Sequence, residues 1–146
     1  LGANSSTTER DADLIIDQNF GCSLNLWNWC AEHDARFIYA SSAATYGDGG
    51  SGFADDDSIS GLATLYPLNL YGWTKHLFDR RVVREVASGS KLPRQWVGLK
   101  FFNVFGPNEF HKGRMRSIAL QAFEQLEGGK AIKLFKSHRP DIALLQ

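Results

Sequence analysis

The chain has 146 residues, enough for one domain with its own core, and 43% hydrophobic with 22% charged residues is the ordinary balance of a globular protein. Sixteen Lys and Arg offset sixteen Asp and Glu, so no net field draws the chain to nucleic acid or to an anionic membrane surface. No apolar run approaches the roughly 20 residues that span a bilayer, and no basic-then-apolar leader precedes the first element, which points to a cytoplasmic protein. Cys22 and Cys30 read as reduced core thiols. The histidines (His33, His76, His111, His138) show no zinc-ligand spacing, so no metal is expected.

Taken in order, Leu1-Gly2-Ala3-Asn4-Ser5-Ser6 reads as the end of a strand running into a loop. The chain opens without Met and stops at Asp141 to Gln146 with neither cap nor turn, so it is expected to be an internal stretch of a longer protein. From Asp11 to Glu32 apolar residues recur at helical spacing (Leu14, Ile15, Phe20, Leu24, Trp27, Cys30), and His33-Asp34 closes that helix. Arg36 to Ser41 is a short apolar run suited to a buried parallel strand. A loop rich in Gly, Ser and Asp follows, from Gly47 to Ser60. A second helix is expected from about Asn69 to Ala87, with Leu70, Leu77, Phe78, Val82 and Val86 on its apolar side, then a second strand from Gln95 to Phe102. Gly106-Pro107 breaks the chain, a third helix spans roughly Arg114 to Leu126 before Gly128-Gly129, and Ala131 to Phe135 makes a short strand. This alternation predicts an α/β protein with a doubly wound parallel sheet. In such sheets ligands bind outside the carboxyl ends of the strands, which directs attention to the loops after Ser41 and Phe102.

Tyr71 and Lys75 lie four apart on the second helix and therefore share a face one turn apart. A phenol with a pKa of about 10 is a poor base at neutral pH, but a lysine ammonium within about 4–6 Å favours the phenolate. A shift of roughly 3 units needs about 4 kcal/mol, which two nearby positive charges in a desolvated site can supply. Ser41 and Ser42 sit at the carboxyl end of the first strand, where a hydroxyl can meet a substrate or the phenol. On spacing alone, Tyr71 and Lys75 read equally well as a half-buried ring beside a surface lysine, and the serines as loop residues satisfying backbone.

The order strand, Ser-Ser, loop, then Tyr-x-x-x-Lys resembles the Ser-Tyr-Lys triad of the short-chain dehydrogenase/reductase superfamily. The segments FIYASSAATYG (Phe37 to Gly47), PLNLYGWTK (Pro67 to Lys75) and FFNVFGPNEFHKG (Phe101 to Gly113) look like the ADP-glyceromanno-heptose 6-epimerases, a branch of its extended, NAD-dependent epimerase/dehydratase members. GANSSTTE (Gly2 to Glu9) and LFKSHRPD (Leu134 to Asp141) fit the same family.

That resemblance implies a partial Rossmann-like, dinucleotide-binding domain over residues 1–106, carrying the catalytic centre, and the start of a small, truncated substrate-binding region over 107–146. It makes Tyr71 the base on one face of the sugar, Lys75 its activator, Ser42 the hydroxyl partner, and Lys112 the second acid-base residue. Gly2, Ala3, Asn4, Ser5, Asn19, Lys75, Val104 and Lys112 would contact the cofactor, NADP or alternatively NAD. Ser42, Asn103, Arg114, Gln121, Phe135, Lys136, Ser137 and His138 would hold the substrate, an ADP-heptose, although Arg114 stands where a small residue is expected. The resemblance also implies a homo-oligomer, a pentamer in the family, and a role in lipopolysaccharide synthesis. The reaction so implied is redox-neutral: hydride would leave carbon six, a transient ketone would turn, and hydride would return to its other face. Inversion of this kind asks for proton carriers on both faces.

Gly47-Asp48-Gly49-Gly50-Ser51-Gly52 is glycine-rich but follows the Ser-Ser strand and opens no helix, so it reads as an active-site loop and not as a pyrophosphate cradle. No GxGxxG is present, and the cradle is expected before Leu1, so the isolated chain is expected to be inactive. A UDP-hexose 4-epimerase remains an alternative. A 4,6-dehydratase is disfavoured because Ala43-Ala44 follow Ser42 where an Asp-Glu pair is needed. A non-catalytic cofactor binder and an inactive truncated product are the remaining readings.

Overall fold

The computed structural model describes residues 3–133, with the side chain of Arg114 left aside. The chain divides into two compact units, Leu1–Phe102 and Asn103–Gln146, while the sequence reading set its boundary at 106.

In the first unit, Asp11 caps helix α1 (Ala12–Ile15) by accepting a hydrogen bond from the Leu14 amide at 3.0 Å. The chain then widens into a π-helical turn over Ile16–Gly21 before resuming as α2 (Cys22–Glu32). The single regular helix expected over 11–32 is therefore corrected. A π turn takes an extra residue and shifts the phase of everything after it. Trp27, Cys30 and Ala31 define the inner face of α2. Cys22 precedes Trp27 by five residues, which places it well round the helix from that face, and it is exposed rather than in the core; Cys30 alone is buried.

Strands β1 (Arg36–Ser42) and β2 (Gln95–Phe101) pair in parallel, with Phe37 beside Trp96, Tyr39 beside Gly98 and Ser41 beside Lys100. The α/β class with a parallel, Rossmann-like sheet is thus what the chain adopts. The loop expected from Gly47 to Ser60 starts where expected and is shorter only at its far end. A 3₁₀ turn, Ala43–Tyr46, follows β1 directly, and α3 (Ile59–Ala63) starts inside the segment, capped by Ser58. The Ser and Asp that read as loop residues also serve as helix caps, which is why the pattern hid α3. Helix α4 (Leu70–Ser88) returns the chain to β2, started by Asn69, which accepts from the Gly72 amide at 2.8 Å, and stopped by Gly89 in the left-handed region.

The helices bury one face of the sheet. Trp27, Phe78 and Val82 form the core, with Phe20, Phe37, Tyr39, Leu92 and Trp96 packed on it. Trp27 meets Phe37, Phe78 and Trp96 edge to face, with centroids 5.8, 6.2 and 5.8 Å away, and its Nε1 donates to Glu85. A smaller cluster joins Tyr46, Leu62 and Leu65. On the opposite face Ile38, Val97 and Leu99 are exposed, Ile38 at 72%.

His76, on α4, is fully buried, and neither ring nitrogen has a hydrogen-bond partner among the described residues. Burial first, then the charges of Arg80 and Lys100, push its pKa down to about 4 from 6.5. The native state thus holds His76 neutral while the unfolded chain takes up the proton more readily. Its contribution to stability is present above pH 6.5 and is lost as pH falls from 6.5 through about 4. Asp79 slopes the other way, because burial raises its pKa. The difference between wild type and His76→Leu isolates the histidine. The variant is expected to flatten the acid side of the stability curve by up to a few kcal/mol near pH 4, read from denaturant midpoints at pH 7 and pH 4.5. An unchanged slope would mean that His76 finds a partner in solution.

The second unit begins irregularly. A 3₁₀ segment, Phe110–Met115, is kinked at Gly113, and α5 (Ile118–Glu127) follows, capped by Ser117. The helix expected from Arg114 starts four residues later. Glu109 explains the delay: its buried carboxylate accepts from the amides of Gly106 and Ser117 and from Ser117 Oγ, which pins the chain in a turn ahead of the cap. Residues 131–133 of the expected short strand are not in a strand, and Leu134 and Phe135 lie outside the described residues. No described helix is long and apolar enough to cross a membrane, and no described cluster of three His, Cys, Asp or Glu is placed to hold a metal.

Candidate active site

Ser42, Tyr71 and Lys75 all lie in the first unit, at the carboxyl end of β1 and the first turns of α4. Ser42 ends β1 and is buried; its Oγ accepts from the Ala44 amide at 3.1 Å, starting the 3₁₀ turn. Gly72 lets α4 approach that turn: a Cβ there would sit 2.9 Å from the Ala44 carbonyl oxygen and 3.0 Å from Pro67 Cβ. The residue after Tyr71 must therefore be small for the helix start to lie against the Ser42 turn.

Lys75 is buried, its Nζ donates to the Ala40 carbonyl at 2.9 Å, and it stands 5.8 Å from the centroid of the Tyr71 ring. Burial lowers the lysine pKa, and the negative charge of Asp79 opposes that shift. Tyr71 is half-buried, and its hydroxyl has no partner within the described residues. A protonated amine close to a phenol at a strand end is an arrangement that can hold and pass a proton.

Asn19, buried in the π turn, donates through Nδ2 to the Asn4 carbonyl at 2.9 Å and to Thr74 Oγ1 at 3.1 Å, and its Oδ1 accepts from the Asn4 amide at 2.7 Å. Both amide protons are committed. Its place is to clamp the Ala3–Asn4 backbone to the helix that carries Lys75. Ala3 and Asn4 are half-buried and Ser5 is exposed, while Gly2 lies outside the described residues.

In the second unit, Lys112 is exposed. Its amide donates to the Glu109 carbonyl at 2.9 Å, and its Nζ is 4.0 Å from Glu109 Oε2. Backbone amides of Ser117 and Gly106 hold the Glu109 carboxyl below the usual range. Asn103 and Val104 are exposed. Gln121 turns its Nε2 onto the Arg116 carbonyl at 2.8 Å. The Arg114 side chain and Phe135, Lys136, Ser137 and His138 lie outside the described residues.

Sequence reasoning missed a buried polar group beside Lys75. Ser41 Oγ donates to Asp79 Oδ2 at 2.6 Å, Lys100 Nζ lies 3.6 Å from the same oxygen and 2.9 Å from Thr45 Oγ1, and Thr45 Oγ1 donates to the Ser42 carbonyl at 2.8 Å. The signal available was the spacing of Asp79, four residues beyond Lys75 on one helix face.

The NAD dependent epimerase/dehydratase family model matches residues 2–142. The chain belongs to this family. Among its epimerase relatives, the ADP-L-glycero-D-manno-heptose-6-epimerase of Fusobacterium nucleatum is 50% identical over 139 residues, 95% of this chain and 41% of the relative. The protein of the same name from Nitratidesulfovibrio vulgaris is 50% identical over 143 residues, covering 98% and 42%. The crystal structure of Helicobacter pylori ADP-L-glycero-D-manno-heptose-6-epimerase superposes with a TM-score of 0.70 at 34% identity, over 92% of this chain and 40% of that one. The chain thus spans about two fifths of the length of these relatives.

Proposed function

We propose that this chain carries the catalytic centre of an epimerase that inverts carbon six of an ADP-heptose, converting the D-glycero-D-manno to the L-glycero-D-manno form with bound NADP. The observation that carries the reading is the seat of Lys75, a buried amine held by the Ala40 carbonyl at the strand end and 5.8 Å from the Tyr71 ring. The names borne by relatives 50% identical to the chain favour the heptose substrate. Lipopolysaccharide heptose synthesis, a cytoplasmic setting and a homo-oligomer belong to the same reading.

A nicotinamide cofactor fits the residues present: a lysine amine beside a phenol at the strand end supplies the proton carrier that hydride removal from a hydroxyl needs, and the Asn19 clamp fixes the backbone at Ala3–Asn4 where the nucleotide would run. When bound, the nicotinamide accepts and returns hydride. Around it Tyr71 would take the proton of the carbon-six hydroxyl as hydride leaves one face and Lys112 would deliver one to the ketone oxygen as hydride returns to the other, with the roles exchanged in the reverse direction, while Ser42 would hold that oxygen and Lys75 would sustain the charge that proton transfer requires. Lys112 is assigned the proton on the opposite face of the sugar.

The full-length protein, given NADP and either heptose epimer, is expected to reach the same mixture from both sides, followed by the carbon-six proton signals in NMR. Inversion at carbon four of a UDP-hexose instead would replace this reading by the 4-epimerase one. Lys112→Met is expected to cut net inversion by about 10²-fold or more while single-turnover hydride removal from one epimer stays within roughly tenfold of wild type. Equal loss with both epimers, together with a collapse of cofactor affinity, would make Lys112 a binding residue.

A further inference from the structure

We propose that Asp79, paired with Lys100, is a positioning residue for the reaction: its carboxylate braces the strand end that carries Ser42 and keeps the buried Lys75 charged. This rests on the catalytic reading of Tyr71, Lys75 and Ser42 given above.

The brace is continuous. Asp79 takes the Ser41 hydroxyl at 2.6 Å and holds Lys100 at 3.6 Å, and Lys100 meets Thr45 at 2.9 Å. Thr45 in turn donates to the Ser42 carbonyl at 2.8 Å. Ser42 is thereby gripped on both sides, through the preceding residue and through its own carbonyl, and the Ala40 carbonyl that seats Lys75 lies on the same stretch of β1. Most of this is out of water: Ser41 is 2% exposed, Thr45 0% and Asp79 5%, while Lys100 is half-buried.

Charge placement gives the second half of the argument. Lys75 and Asp79 are one turn apart on α4, and each is disfavoured in its ionised form by burial. Each also gains from an opposite charge nearby, Lys75 from Asp79 and Asp79 from Lys100. The other titratable neighbours of this group are Tyr39 on β1, whose phenol is pushed upward by burial and by Asp79, Tyr46 in the turn after β1, whose ring centroid lies 4.6 Å from Lys100 Nζ and whose phenol is pushed upward by burial, Asp55 and Asp79, and His76 and Arg80 on α4. Tyr39, Tyr46 and a neutral His76 bring no charge near pH 8 and Arg80 is a fixed cation, so Asp79 supplies the opposite charge at Lys75, and Lys100 offsets Asp79.

The two members of the pair should act in opposite directions, which a purely structural brace would not do. In the full-length protein, Asp79→Asn removes the negative charge. It is expected to lower kcat about tenfold, to move the alkaline limb of the kcat profile down by about one pH unit, and to leave KM within about threefold. Asp79→Glu should restore most of both. Lys100→Gln leaves Asp79 unopposed and should move the same limb upward. Limbs that stay put, or that move in the same direction in both variants, overturn the proposal. If Asp79→Asn does not fold, the Lys100→Gln limb decides alone, and if neither variant folds the pair is structural and the proposal fails. Tyr71→Phe run alongside separates the two layers: an active Tyr71→Phe sinks the catalytic reading itself, whereas an inactive one with unmoved limbs sinks only the role of Asp79.

Discussion

Tyr71→Phe in the full-length protein is expected to lower epimerisation by two to four orders of magnitude, the usual worth of a general acid-base group. Only the phenolic oxygen is removed. The ring that stands 5.8 Å from Lys75 stays, and so does the Tyr71 carbonyl that accepts from Thr74 Oγ1 at 2.8 Å. Since the hydroxyl makes no hydrogen bond within the described residues, the fold does not depend on it. Cofactor affinity should therefore stay within about threefold of wild type and the melting temperature within about 2 °C, because surface-type changes that touch no packing are usually worth less than about 0.5 kcal/mol. Rates come from initial velocities with each epimer, affinity from cofactor titration. Retention of more than about a tenth of the activity would remove Tyr71 from the role of base.

The largest stability effect is expected at Trp27. It is 1% exposed, stands edge to face with Phe37, Phe78 and Trp96, and ties α2 to α4 through its hydrogen bond to Glu85. Trp27→Ala empties the centre of the core and should cost about 3–5 kcal/mol. It also leaves Glu85, itself buried, with Arg81 as its charged partner on the same helix. Trp27→Phe keeps most of the packing but loses the indole donor, at about 1–2 kcal/mol. Against a total of roughly 5–15 kcal/mol the first change is large enough to unfold much of the protein at 37 °C. Denaturant midpoints for the two variants measure the difference. A cost below about 1 kcal/mol for Trp27→Ala would show that α2 does not pack on this sheet.

Much of this architecture was legible in the chain. Apolar period located β1, α4 and β2, because the spacing that marks a strand or a helix face acts between residues a few positions apart. The π turn was not legible. Its cause is the contact of Asn19 with Asn4 and Thr74, residues 15 and 55 positions away, and no local pattern announces a partner at that separation. The same holds for α3, hidden among residues that serve loops and caps alike, and for the late start of α5, which Glu109 sets from a distance of eight residues.

Within the candidate site the division is similar. The sequence alone determined the residue types and their local spacing: a serine pair ending an apolar strand, and Tyr71 with Lys75 one helical turn apart. Only the tertiary structure decided that Lys75 is seated on the Ala40 carbonyl, that Asn19 uses both its amide protons inside the chain, and that Asp79 and Lys100 meet behind the serines. The reason is physical. Helical and strand periods depend on neighbours a few residues apart, whereas burying a charge requires partners brought together from β1, α4 and β2, and which ones meet depends on the register that sets Ser41 beside Lys100.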